Sequence, residues 1–212
     1  MLLVTGSYTC PMTASSNPLL KELHAEFGGD VRFVMLHVRE AHPGEQREQP
    51  RSAEEKMRHA QDLQQRDQLP WPIAVDDPEG SVHQALDGKP NAAYLIDPDG
   101  VIVFRALWAG DQNSLRDALE SVANGERPEP SESTHRLLPM ARGVGVMREM
   151  LRQSGPRAEH DLWRAAPPMA VVARVADLYR PLRPEWRTFA ALATLGGVAA
   201  ALLSMVSRRS RH

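Results

Sequence analysis

The sequence predicts an α/β fold, and three observations carry that expectation. Apolar runs of strand length alternate with helical periodicity from residue 1 to residue 77. An Asp-Pro-Asp-Gly turn at 97–100 joins two further β-rich runs over 92–107. A helical pattern then closes the unit, with Gly125 beyond its end. Alternation of this kind builds a sheet flanked by helices, and the hairpin adds an antiparallel edge.

In order, residues 1–6 read as a short buried strand. Residues 17–29 place Leu19, Leu20, Leu23 and Phe27 at helical spacing and end in Gly-Gly. The run 31–38 is apolar and of strand length, and the polar loop "REAHPGEQREQP" follows it. A polar helix comes next over 52–67, with Ser52 as N-cap and Glu55 completing a capping box. "WPIAVDD" (71–77) is a third strand, and "SLRDALESVANG" is the closing helix.

The 212 residues carry 42% hydrophobic and 25% charged side chains, which is globular rather than disordered composition. The formal charge of −2 conceals an asymmetry. Residues 1–135 hold 12 Lys and Arg against 22 Asp and Glu, whereas 136–212 hold 13 Arg against 5 acidic residues. The organisation expected is therefore a domain over 1–124, a Pro/Ser/Glu linker over 125–135 and an arginine-rich helical extension over 136–188. No nucleic-acid partner is expected.

Residues 189–206 carry no charge over 18 positions. At about 1.5 Å per residue they cover roughly 27 Å, close to the thickness of a bilayer's hydrocarbon core. A transmembrane helix is the expectation, with a packing helix as the alternative. Gly196 and Ala200 stand at small-xxx-small spacing and would allow a homodimer. The N-terminus has no basic segment ahead of its apolar run, so the domain is expected on the cytoplasmic side, anchored by its C-terminus. A soluble cytoplasmic protein is the other possibility.

Cys10 is the single cysteine. It stands after the first strand and before the first helix, where ligands collect in such sheets. A thiol at a helix N-terminus faces unpaired N–H groups and the positive dipole end, which together favour the thiolate. Pro11 suits a first helical turn, and Ser7, Thr9 and Thr13 are candidate donors to the sulfur. The plain alternative is a small buried hydrophobe. His42 and Glu40 follow the second strand, so their loop opens on the same edge. A histidine there can act as general acid or pair with the thiolate. No metal and no bound cofactor are expected.

"GSYTCP" and "VREAHPGE", separated by one helix and one strand, resemble the iodothyronine deiodinase family over about residues 2–122. The resemblance implies a thioredoxin-like three-layer α/β/α domain. It places Cys10 where that family has selenocysteine, Ser7 and Thr9 as its neighbours, and Glu40 and His42 in the catalytic Glu-Ala-His. Pro90 lies near the position of the cis-proline facing the cysteine in thioredoxin-like proteins, and Asn91 falls in that slot by count from the turn.

The activity implied is thiol-dependent reductive dehalogenation or related redox chemistry. Cys10 would attack a small-molecule electrophile, and an external thiol would reduce the product. A one-cysteine thiol peroxidase is the enzymatic alternative, because Ser7-x-x-Cys10 also resembles the peroxiredoxin motif. A membrane-tethered binding module with an inert thiol is the non-enzymatic one.

Overall fold

In the computed structural model, residues 1–209 are described, with side chains to residue 205. The basic tail residues Arg208, Arg209 and Arg211 lie outside the described side chains. The first half runs β1 (Leu2–Gly6), α1 (Pro11–Phe27), β2 (Phe33–His37), α2 (Ala53–Asp67) and β3 (Ile73–Val75). There follow α3 (Ser81–Ala85), β4 (Ala93–Ile96), β5 (Ile102–Ala106), α4 (Gln112–Ala123) and β6 (Glu132–Ser133). The fold is α/β, with a thioredoxin-like core and a helical C-terminal extension.

The sheet order is β3-β2-β1-β4-β5-β6. β1 is parallel to β2 and antiparallel to β4, and β4 is antiparallel to β5. Leu2 and Val4 pair with Phe33 and Met35 on one side and with Leu95 and Ala93 on the other. One face thereby becomes continuously apolar, and Leu20, Leu23 and Phe27 of α1, Leu63 of α2 and Leu115 and Leu119 of α4 cover it. The opposite face, with Thr5, Leu36 and Tyr94, is covered more thinly by α3 and its flanking chain, where Tyr94 donates its hydroxyl to the Leu86 carbonyl.

Helix α1 begins at Pro11, six residues before the start expected at 17. Ser15 and Ser16 donate their hydroxyls back to the carbonyls of Met12 and Thr13, so they fold into the helix as back-bonded residues. Residues 125–135 are no free linker. Glu132 and Ser133 pair in parallel with Arg105 and Ala106 and extend the sheet by a sixth strand.

The extension comprises α5 (Leu137–Ser154), α6 (Pro156–Ala165), α7 (Pro167–Ala176), a 3-10 turn (Asp177–Tyr179) and α8 (Pro184–Arg209). Met147, Leu151, Ala158, Leu162, Ala170 and Ala173 form a second, smaller core. Two glycines fix the path of α5. A Cβ on Gly143 would meet the Met12 sulfur of α1, and one on Gly145 would meet the backbone of Pro184 at the start of α8. The segment Pro184–Met205 is long and apolar enough to cross a membrane, and most of it is not buried.

Candidate functional site

The loops after β1 and β2 are tied together by one carboxylate. Glu40 is 4% exposed, and its Oε2 accepts from the Thr9 N–H at 2.8 Å and from the Thr9 hydroxyl at 2.7 Å. Its Oε1 lies 2.9 Å from His59 Nδ1 and 3.4 Å from His37 Nε2. Burial alone would push this carboxyl up. The interactions with His37, His59 and the Thr9 N–H outweigh it and hold Glu40 well below the usual carboxylate range. Thr9 Oγ1 also accepts from the His42 N–H at 3.0 Å, and Ser7 Oγ accepts from the Ala41 N–H at 3.3 Å. Three successive residues of the second loop thus rest on the first.

Cys10 is the N-cap of α1, with extended backbone, and Ala14 donates its N–H to the Cys10 carbonyl at 3.0 Å. Pro11 occupies the first turn, as its missing N–H allows. The thiol is 1% exposed. That burial raises its pKa above the ordinary thiol value. The Thr13 N–H and hydroxyl and the Met12 N–H pull the other way, though none has the geometry of a full side-chain cap, and the Glu40 charge adds to the rise. The thiolate expected from the helix terminus is thus overruled by desolvation. Of the three expected donors only Thr13 faces the sulfur. Ser7 and Thr9 are turned to Ala41 and Glu40 instead.

His42 is half-buried, and its ring makes no hydrogen bond or ion pair among the described residues. Burial lowers its pKa. A neutral imidazole can accept a proton, but it cannot serve as the standing cation that would hold a thiolate. Glu40, expected in a catalytic Glu-Ala-His, is a buried carboxylate that ties the two loops together. Asn91 is fully buried, donates its side-chain N–H to the Thr5 carbonyl at 3.2 Å and leaves Oδ1 without a partner. Pro90 is half-exposed and its peptide bond is trans, so it does not act as the cis-proline.

Helix α5 crosses the edge formed by the carboxyl ends of the strands, beside the helix that Cys10 caps. Near its start Arg142 donates to the Gly110 carbonyl after β5, at 2.9 Å. Gly143 then meets Met12 beside Cys10. Farther on, Arg66 Nη1 reaches Gln153 Oε1 at 3.3 Å while also donating to the Tyr8 carbonyl at 2.7 Å. At the far end the Ser154 carbonyl accepts from the Gln46 N–H at 2.9 Å. Just beyond it, Glu45 accepts from the Arg157 N–H in the first turn of α6, at 3.0 and 3.1 Å. The Tyr8 ring is sandwiched between the guanidinium groups of Arg47 and Arg66, 4.2 and 4.4 Å from its centroid.

No family model matches this sequence, and no curated protein matches it. Among solved structures, an uncharacterized conserved protein from Geobacillus kaustophilus is similar at 18% identity, over 62% of this chain and 71% of its own, with a TM-score of 0.47. A hypothetical protein from Sinorhizobium meliloti 1021 is similar at 17% identity, over 62% and 73%, with a TM-score of 0.48.

His37, His59 and the bar formed by α5 are the parts of this site that sequence reasoning missed. His59 had a signal. It stands three residues after Lys56 and four before Leu63, both on the buried side of α2, so helical spacing places it at the edge of that side.

Proposed function

We propose that the protein is a monothiol oxidoreductase of deiodinase type. The observation that carries the reading is the clamp of Thr9 on Glu40: the residue next to Cys10 bonds the buried carboxylate, and its hydroxyl oxygen in turn accepts the backbone N–H of His42. A carboxylate held this way keeps the two loops in one geometry without supplying a proton itself.

In the resting state Cys10 is a thiol and His42 is neutral, so His42 acts first as base. It takes the thiol proton, and the thiolate sulfur attacks the iodine of an aryl iodide. The S–I bond forms as the C–I bond breaks, and the carbon receives the proton from His42. An external thiol then reduces the sulfenyl iodide: one thiol forms a mixed disulfide and releases iodide, and a second frees Cys10 as the disulfide of the reductant leaves. With a peroxide, the same thiolate takes one oxygen and His42 protonates the departing alkoxide. For either substrate α5 must move, because the sulfur is enclosed.

That enclosure also favours a second reading, in which the thioredoxin-like domain binds a partner and the thiol is inert. Mass spectrometry of Cys10 after exposure to iodinated phenols, and separately to peroxide, decides between them. A covalent adduct at Cys10, with turnover in the presence of thiol that is lost in Cys10→Ser, is expected. An unmodified thiol under both conditions leaves only the binding module.

The membrane reading belongs to the same proposal. Helix α8 anchors the chain, and the domain meets its thiol reductant on the cytoplasmic side.

A further inference from the structure

We propose that the cleft between α5, the turn at 177–180 and the start of α8 binds the phosphate of an anionic phospholipid headgroup. The proposal rests on the reading of α8 as a membrane helix, and it begins with a length. The described part of α8 that stands clear of the domain, residues 192–205, is exposed at every position but Leu195. The helix runs on to Arg209, and its 16 residues from 192 to the last one before Arg208 cover about 24 Å, short of the roughly 30 Å of hydrocarbon in a bilayer. The whole apolar segment Pro184–Met205 covers about 33 Å and suffices. Its first two turns carry Glu185 and Arg187, so they lie in the headgroup layer where the span enters the bilayer.

Those turns are fixed to the extension. Thr188 donates its hydroxyl to the Ala141 carbonyl at 2.7 Å, and Ala191 is fully buried. Insertion of α8 thus carries the neighbouring surface to the headgroup layer. That surface has the chemistry of an interface. Leu178 is 76% exposed and Trp186 58%, and Leu182 stands beside them in sequence, also exposed. Tryptophan with an apolar body and a polar N–H is at home at this depth.

The cleft itself measures about 470 Å³ and is lined by Arg152, Arg180, Arg187, Gln153 and Glu149. Asp177 accepts from Arg148, Arg152 and Arg180, so one carboxylate faces three guanidinium groups. Arg187 is spent only on the carbonyls of Leu182 and Arg180. Glu149 on the rim takes back one charge, and the balance is positive. An anion completes this arrangement, and the one present at this depth is a lipid phosphate, which guanidinium groups bind in pairs.

The test uses the full chain in lipid nanodiscs and reads the quenching of Trp186, isolated as the difference between wild type and Trp186→Phe. Brominated acyl chains are placed either on phosphatidylcholine or, at equal mole fraction, on phosphatidylglycerol. The anionic quencher should be the stronger at low salt. Arg152→Gln, which leaves Asp177 two arginines, should reduce that preference up to about five-fold, the effect of one arginine near a charged surface. Arg187→Lys, which keeps the charge, should retain most of it. Equal quenching by both lipids, or a preference erased by inorganic phosphate, overturns the headgroup site alone. No quenching by either lipid overturns the membrane reading beneath it, and self-association of α8 with a second copy would then account for the apolar face.

Discussion

The Thr9 hydroxyl donates to Glu40 Oε2 at 2.7 Å, both residues buried, and this bond joins the two loops that bear the candidate chemistry. A carboxylate removed from water is costly unless its lone pairs are filled. Here Thr9 fills one oxygen twice over, and the two histidines approach the other. Glu40→Gln should therefore destabilise the fold by about 2–4 kcal/mol, since its amide would present N–H to groups that themselves donate. Thr9→Val should cost about 1–2 kcal/mol, and the double variant less than the sum. Urea denaturation of the three variants measures this. Additive losses would mean that the pair is not coupled.

The same carboxylate sets an acid limit. Its folded pKa is depressed, so its contribution is present above the unfolded value of about 4.3 and is lost as pH falls toward the folded one. Stability of the wild type should decline below about pH 4.3 more steeply than that of Glu40→Gln. Parallel curves would show that Glu40 does not drive the decline.

Cys10 titrates in the opposite sense. Its folded pKa is raised, so burial of the thiol contributes stability below the ordinary thiol value of about 8.5, and that contribution fades as pH rises through the folded value. Thiolate absorbance in the wild type should show a midpoint above about 8.5, and Cys10→Ala should be less sensitive to alkaline pH. A midpoint below that value would mean that the helix terminus prevails over desolvation.

Much of this architecture is legible in the sequence, and the reasons differ from part to part. The strands over 2–6, 33–37 and 93–106 are apolar runs bounded by turn residues, and periodicity finds them because their core faces are local patterns. Glu40, His42 and Cys10 fall on one edge because each follows a parallel strand, which is topology that element order conveys. The state of the thiol is not local. It depends on burial by the whole fold, and Gly143 of α5, more than 130 residues downstream, passes beside Met12 without any pattern around Cys10 to record its approach. β6 escaped notice because two residues of a Pro/Ser/Glu stretch have no period to read. His59 joins Glu40 across 19 residues, and only the fold of α2 brings it there.

Gly44 tests whether α5 controls access to the thiol. A Cβ there would lie 2.3 Å from the Ser154 carbonyl oxygen, which is backbone and cannot swing aside. Gly44→Ala should therefore displace the end of α5 at a cost of about 1–3 kcal/mol. Alkylation of Cys10 should accelerate, and the Gln46 amide, which donates to Ser154, should exchange its proton faster. Faster exchange at Gln46 with unchanged alkylation would show that α5 is not the barrier over Cys10.

The apolar face of α8 is unburied, so its role can be tested apart from the fold. Val198 is 54% exposed and Leu202 57%, so neither contributes to a core in the isolated chain. Arginine at both positions should leave the α/β domain folded, with thermal unfolding little changed. In a bilayer the same pair is costly, at about 2.5–3.5 kcal/mol per charge near the centre of the span. The wild-type chain should resist extraction from membranes by alkaline carbonate, whereas Val198→Arg/Leu202→Arg should be released. A conservative pair, Val198→Ile with Leu202→Ile, should remain with the membrane. If the wild type is released as readily as the arginine variant, α8 does not span, and its exposed face must be covered by protein.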